Sequence, residues 1–409
     1  MNMPRLKFCL SSGSLLLANL LYFSSFALAS ETRLNDPIKF SGFGSLVLGT
    51  AFSDDLNYGF NINKKSEKYT DEWTAEPDSR LGLQMDVSIS ETTSLTIQGL
   101  FRESVDPELS WGVFNWQATD KLNLRLGKMQ LPFYYYSDYA EVGYAYPWIT
   151  APNATYFVGI EGYTGINAIY DFSTQTVDHE FEFYYGNIEE DLYGEDSTKI
   201  KSDAWGAIYK PTWDRFTLRL SYHAAPQMDF LNPDADTLVS ATQDLADLSL
   251  IPQSVADNTF FTDVDAWYAG LALKIDFDQF WIMAEHNQLG FDNLFPRFVR
   301  NSISAGYFVN DELQIFGLFG SEWDDWDTTG SDAINAAAQF LPSPLKEQTE
   351  YLAGEYFEQE RGWKRESLSL GFRWDFMENM AFKGQYTHLE DRRIDKNNDF
   401  IRFSIDFVF

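Results

Sequence analysis

Ten basic residues carry the clearest chemical signature in this sequence: Arg80, Arg102, Arg125, Lys210, Arg219, Lys274, Arg300, Arg373, Lys383 and Arg402. They stand in segments where large apolar residues recur at every second position, on the face opposite that apolar series. Two chemistries fit. A cationic wall around water attracts anions, or faces acids across a narrow passage and sets up a transverse field that orders water and screens solutes. Alternatively, the cations pair with acids on their own face, such as Asp86, Glu180, Glu182, Asp375 and Asp406, and hold that face together.

A second feature is GKMQLPFYYYSDYAEVGYAYPWITAP, residues 127–152. Its prolines exclude a helix or a central strand, and it is too aromatic for an ordinary solvated loop. Its charges are Lys128, Asp138 and Glu141. Three readings stand side by side. Asp138 and Glu141 could narrow a passage opposite the basic wall. Tyr134, Tyr135, Tyr136, Tyr139, Tyr144 and Tyr146 could stack on sugars or other flat solutes. The same rings could simply pack, since tyrosine joins an apolar body to a polar tip.

Catalytic and metal signatures are sparse. The four histidines, His179, His223, His286 and His388, lie on separate segments without metal-ligand spacing, and no G-x-S-x-G turn occurs. An enzyme acting on lipid would need a serine–histidine pair on the apolar face, where His286 is the one candidate; no enzymatic activity is expected. DKNND (395–399) and NPDAD (232–236) begin like calcium loops but do not continue as one. No cofactor is expected beyond nonspecific Ca²⁺ or Mg²⁺ at acidic loops. The single cysteine, Cys9, rules out an internal disulfide, and the net charge of −31 argues against nucleic acid.

These residues need elements to position them. Residues 1–29 read as a cleaved secretory signal: Arg5 and Lys7, the apolar run LLLANLLY, then Ala27-Leu28-Ala29. Its removal takes two of 30 basic residues and none of 61 acidic ones, leaving 28 − 61 = −33 for residues 30–409. No later run is long and apolar enough for a membrane helix, yet 17% of residues are aromatic. A membrane β-barrel reconciles these facts: every second residue meets lipid, and aromatic girdles mark both interfaces.

Periodicity supports this. In DFIRFSIDFVF, Ile401, Phe403, Ile405, Phe407 and Phe409 alternate with Arg402, Ser404 and Asp406. An arginine or lysine facing mid-bilayer costs about 2–4 kcal/mol, so the charged face must turn to water inside. The same alternation yields sixteen strands: 38–50, 79–89, 93–104, 108–118, 121–128, 161–172, 177–187, 202–211, 214–224, 263–277, 278–290, 297–309, 311–320, 363–376, 379–389 and 399–409. Connections alternate between tight turns and longer loops, with short helices expected near 236–248 and 331–341. The expected fold is all-β, a closed transmembrane antiparallel barrel.

On the signal segment, the sixteen alternating segments, the loop asymmetry and Phe409, the chain resembles the Gram-negative outer-membrane porins of the sixteen-stranded diffusion type. The resemblance implies an inward-folded third loop, here 129–160, and a water-filled channel for small hydrophilic solutes or ions in the outer membrane. It also implies Phe407 and Phe409 as a signal for the barrel-assembly machinery, a homotrimer, and contact with membrane lipid and lipopolysaccharide. An anion preference would follow if the basic wall is free. The rivals are a transporter for hydrophobic solutes, disfavoured by the few residues (30–37) before the first strand, and an enzyme or structural barrel without an open pore.

Overall fold

The computed structural model describes residues 37–53, 68–102, 105–160, 162–192, 198–293, 295–325, 329–343, 346–347, 349–350 and 364–409. The expected signal segment, 1–29, lies outside these. Sixteen antiparallel strands form one closed barrel in which β1 pairs with both β2 and β16. They are β1 Ile38–Ala51, β2 Arg80–Ser88, β3 Thr93–Arg102, β4 Val105–Thr119, β5 Leu122–Gln130, β6 Gly162–Ser173, β7 Asp178–Leu192 and β8 Thr198–Trp213. The second half holds β9 Phe216–Leu231, β10 Val264–Asp276, β11 Phe280–Phe291, β12 Arg297–Phe308, β13 Leu313–Asp325, β14 Lys364–Met377, β15 Met380–Asp391 and β16 Lys396–Val408.

Alternation explains the closure. Leu126, Ile166, Phe183, Leu220, Ile303, Leu370 and Phe403 stand exposed on the outer wall, whereas Arg80, Arg300, Lys383 and Arg402, at the opposite parity, are buried. Such a continuous apolar belt fits a lipid surface and no other solvent. Closure leaves no edge with unpaired backbone groups, as lipid demands. Tight connections close one end. Asp214 and Asn379 take positive φ there (52° and 61°), a conformation that Asp and Asn tolerate and that two-residue hairpins require. At several cross-strand sites an aromatic ring covers a glycine: Phe43 lies over Gly82, Trp281 over Gly306 and Phe316 over Gly371. Phe407 and Phe409 likewise cover Gly44 and Gly42 where β16 meets β1.

All sixteen strands occur in the expected order. The largest difference is at the loop end, where β7, β8, β9 and β13 run past their expected limits, to Leu192, from Thr198, to Leu231 and to Asp325. On β7, β8 and β9 the pattern inverts there, with apolar Ile188, Ile200 and Phe230 inward and polar Glu189, Lys201 and Asp229 outward. Tyr184 and Ile188 on β7, Ile200, Ala204 and Ile208 on β8, and Met228 and Phe230 on β9 are buried in one apolar cluster. That cluster includes residues of three helices in the long loops: α1 Pro233–Asp247, α2 Gln253–Asp257 and α3 Thr329–Ala338. Leu238, Leu245, Val255, Ile334 and Ala337 supply their buried faces.

Candidate functional site: a loop across the barrel lumen

The segment between β5 and β6 contains two short 3-10 turns, Ser137–Tyr139 and Gly143–Ala145, and otherwise runs irregularly. Such a segment must find partners for its backbone groups. The barrel wall supplies them from strands around the circumference. Arg219 on β9 donates to the carbonyls of Pro132 and Phe133. Tyr268 on β10 reaches the same Phe133 carbonyl at 3.3 Å. Glu285 Oε1 on β11 accepts the Tyr135 N–H at 2.9 Å. Thr155 meets Ser302 on β12 at 3.4 Å.

The far wall binds the loop more densely. Lys383 Nζ on β15 donates to the carbonyls of Gly143, Tyr146 and Trp148 at 2.6, 2.8 and 2.6 Å. Arg373 on β14 donates to the Tyr144 and Tyr146 carbonyls, and its guanidinium lies 4.6 Å from the Tyr144 ring centroid. Gln385 accepts the Ile149 N–H, and Arg402 on β16 donates to Thr150 Oγ1 at 3.1 Å. Arg80 on β2 donates to the Glu141 carbonyl and the Tyr146 hydroxyl. The loop therefore spans the interior and touches both sides of it.

The basic face differs from a free cationic wall. Nine of its ten members lie within 4.0 Å of a carboxylate: Arg80 with Glu141, Arg102 with Glu108 and Glu141, Arg125 with Asp138, Lys210 with Glu180, Lys274 with Asp276, Arg300 with Asp324, Arg373 with Asp375, Lys383 with Asp406, and Arg402 with Asp78. The tenth, Arg219, is occupied by loop carbonyls. The reason is electrostatic where the cation is buried, as at Arg80, Arg300, Lys383 and Arg402, since an unpaired buried charge is strongly penalised. Of the two arrangements open from the sequence, a free wall and a paired one, the contacts follow the paired one. Of the interior acids named from the sequence, Glu180, Asp375 and Asp406 pair with cations. Asp86 instead accepts from Gln84 and Thr96, and Glu182 from Asn167.

The loop's own residues divide. Tyr134, Tyr136 and Tyr146 are buried, and Tyr139 is 38% exposed. Tyr134 stacks on Tyr156 at 4.3 Å and accepts the N–H groups of Phe157 and Val158. Trp148 meets Trp281 edge to face at 5.9 Å. Burial pushes up the hydroxyl pKa of Tyr134, Tyr136 and Tyr146, so these groups stay neutral. Burial alone would raise the Glu141 carboxyl, but Arg102 and Arg80 more than offset it, and the group is held below its ordinary value. Asp138 differs: its side chain is 48% exposed, 3.9 Å from Arg125.

Several participants escaped sequence reading. Glu285 sits on the inward parity of β11 between Met283 and Asn287, an acid in an otherwise neutral series. Asp78 and Tyr69 come from the loop after β1 and join Arg402, with Tyr69 Oη to Asp78 Oδ2 at 2.7 Å and Arg402 Nη1 to the same oxygen at 2.9 Å. No local pattern signals such a long-range contact. His286 lies on the outer wall, hydrogen-bonded to Asn301 at 2.7 Å and Gln288 at 2.9 Å. The nearby Ser321 hydroxyl bonds Asn301 instead, so no serine–histidine pair forms among the described residues. The other histidines are scattered: His179 bonds Tyr209, His223 bonds Tyr184 and His388 bonds Asp399. Asp399 also takes the Tyr386 hydroxyl, and residues 233–236 of the second calcium-like stretch open α1.

DcaP, an outer-membrane channel of Acinetobacter baumannii, superposes with a TM-score of 0.55 at 12% identity, covering 91% of this chain and 97% of that one. The chain has the fold of the sixteen-stranded outer-membrane porins. An anion-selective porin from Comamonas acidovorans matches with a TM-score of 0.55 at 10% identity, over 91% and 99% of the two chains. OmpT of Vibrio cholerae gives 0.53 at 10% identity, over 93% and 100%. No known family's sequence signature matches the chain, and none of the curated proteins compared is similar in sequence. The likeness therefore resides in the fold.

Proposed function

We propose that this barrel is an outer-membrane porin, a passive channel for small hydrophilic solutes, with residues 129–160 as its constriction. One observation carries this reading: wall cations cap the loop's carbonyls from opposite sides of the barrel, so the loop is held across the lumen. The loop then determines what remains for water. Arg125 and Asp138 keep 25% and 48% of their side chains exposed. By contrast, Lys383 and Asp406 on the far wall keep none. The passage therefore runs beside Asp138 and Tyr139, along β5–β8.

In this reading the tight-turn end faces the periplasm and the long loops face outward. Phe407 and Phe409 serve as the assembly signal. A homotrimer fits too, since one structurally similar protein, OmpT of Vibrio cholerae, is described in a trimer form. The notion of a basic wall that favours anions loses its support, because nearly all its charges are compensated. Planar-bilayer recording tests the proposal. Purified, folded protein should give stepwise ohmic conductance, and its absence would sink the channel reading.

A further inference from the structure

We infer that the passage prefers cations, and that Glu182 and Asp138 set this preference; the inference rests on the channel reading above. The charge inventory of the water-facing wall carries it. In the register of β6, β7 and β8, Asp171 faces Glu180, and Glu180 faces Lys210. Lys210 pairs with Glu180 at 2.7 Å, with both side chains about one-third exposed (34% and 33%). Asp171, on the inward parity it shares with Asn167, has no basic group within salt-bridge distance among the described residues. Nearer the loop, Glu182 receives only the neutral Asn167 amide at 2.6 Å. Asn167 is 4% exposed, and its Oδ1 accepts no hydrogen bond. Glu182 therefore stands beside a buried neutral amide, with no cation within salt-bridge distance among the described residues. Asp138 stands at the loop tip with Arg125 at 3.9 Å.

At the level of Arg125, Asn167–Asp171, Glu180–Glu182 and Lys210 on the inward face of β5–β8, with the loop tip, the cations are Arg125 and Lys210. The carboxylates are Asp138, Asp171, Glu180 and Glu182. The balance is 2 − 4 = −2, and Arg219 and Glu285 are buried. Arg219 also spends its donors on the Pro132 and Phe133 carbonyls. The pairs on the opposite wall, Arg300 with Asp324, Lys383 with Asp406 and Arg402 with Asp78, are withdrawn from water and sum to zero. A permeating ion therefore meets an excess of negative charge, which lowers the barrier for cations and raises it for anions.

The test is the reversal potential of single channels under a KCl gradient, with KCl alone as the probe and heat-dependent gel mobility as the folding control. Wild type should reverse on the potassium side. Glu182→Gln and Asp138→Asn should each lower the K⁺/Cl⁻ permeability ratio about tenfold, because one unit charge about 6 Å from an ion in water shifts K⁺ and Cl⁻ about threefold each in opposite directions. Arg125→Gln should raise it. A chloride-side reversal in wild type would overturn the inference while leaving the channel reading intact. So would an unchanged ratio in the folded Glu182→Gln/Asp138→Asn double variant. An absence of conductance would overturn both.

Discussion

Lys383 Nζ lies 2.9 Å from Asp406 Oδ2 across β15 and β16, and both side chains are fully buried. The ammonium also donates to three loop carbonyls, so one cation joins wall to wall and wall to loop. A buried ion pair is costly to desolvate unless further hydrogen bonds support it. Here the loop's carbonyls surround the ammonium, and Asp406 Oδ2 also accepts from Ser404 Oγ at 3.1 Å.

Removing one partner should therefore be severe. Lys383→Met leaves Asp406 and three carbonyls without their donor and should destabilise the barrel by about 3–5 kcal/mol. Urea-unfolding midpoints in detergent would measure this. The double variant Lys383→Met/Asp406→Leu should recover part of the wall stability but not the loop's position. Its conductance should then differ from wild type even when its midpoint approaches it.

Glu141 predicts a pH dependence. Its carboxyl is held low because Arg102 and Arg80 outweigh the effect of burial. A depressed folded value contributes stability above the ordinary carboxyl range, and that contribution is lost as pH falls through the lowered value. Acidification below about pH 4 should thus loosen the loop near Glu141. Amide exchange or single-channel noise in residues 137–146 would show the step. Glu141→Gln should behave at neutral pH as wild type does in acid and show no further change on acidification.

Arg125 and Asp138 form an exposed, long ion pair, worth about 0–1 kcal/mol. Arg125→Glu should leave the unfolding midpoint nearly unchanged while shifting ion selectivity strongly toward cations. Coupled loss of stability would place Arg125 in the scaffold instead of the passage.

The glycines under rings offer a packing test. At Gly82 a Cβ would collide with the Phe43 ring, whereas at Gly99 it would meet nothing nearer than 3.6 Å. Gly82→Ala should cost about 1–3 kcal/mol through overpacking, and Gly99→Ala much less. Comparison of the two midpoints checks whether ring-over-glycine contacts tighten the barrel.

The sequence by itself determined the barrel. A two-residue period decides which side chains meet lipid, and the energetic penalty for charge in lipid sends Arg80, Lys383 and Arg402 inward without reference to any partner. Strand count and the alternation of turns and loops followed from the same local rule. It failed at Ile188, Ile200 and Phe230, where the pattern inverts: loop helices cover the inward face of these strand ends, so apolar residues turn inward and Glu189, Lys201 and Asp229 outward. What the inward charges do was decided only by tertiary structure. Asp78 reaches Arg402 across 324 positions, and Lys383 reaches Gly143 across 240, distances in sequence that no local period encodes. Closure of the barrel converts a stripe of cations into a set of neutralised anchors. It leaves Asp138 and Asp171 exposed and Glu182 half-buried.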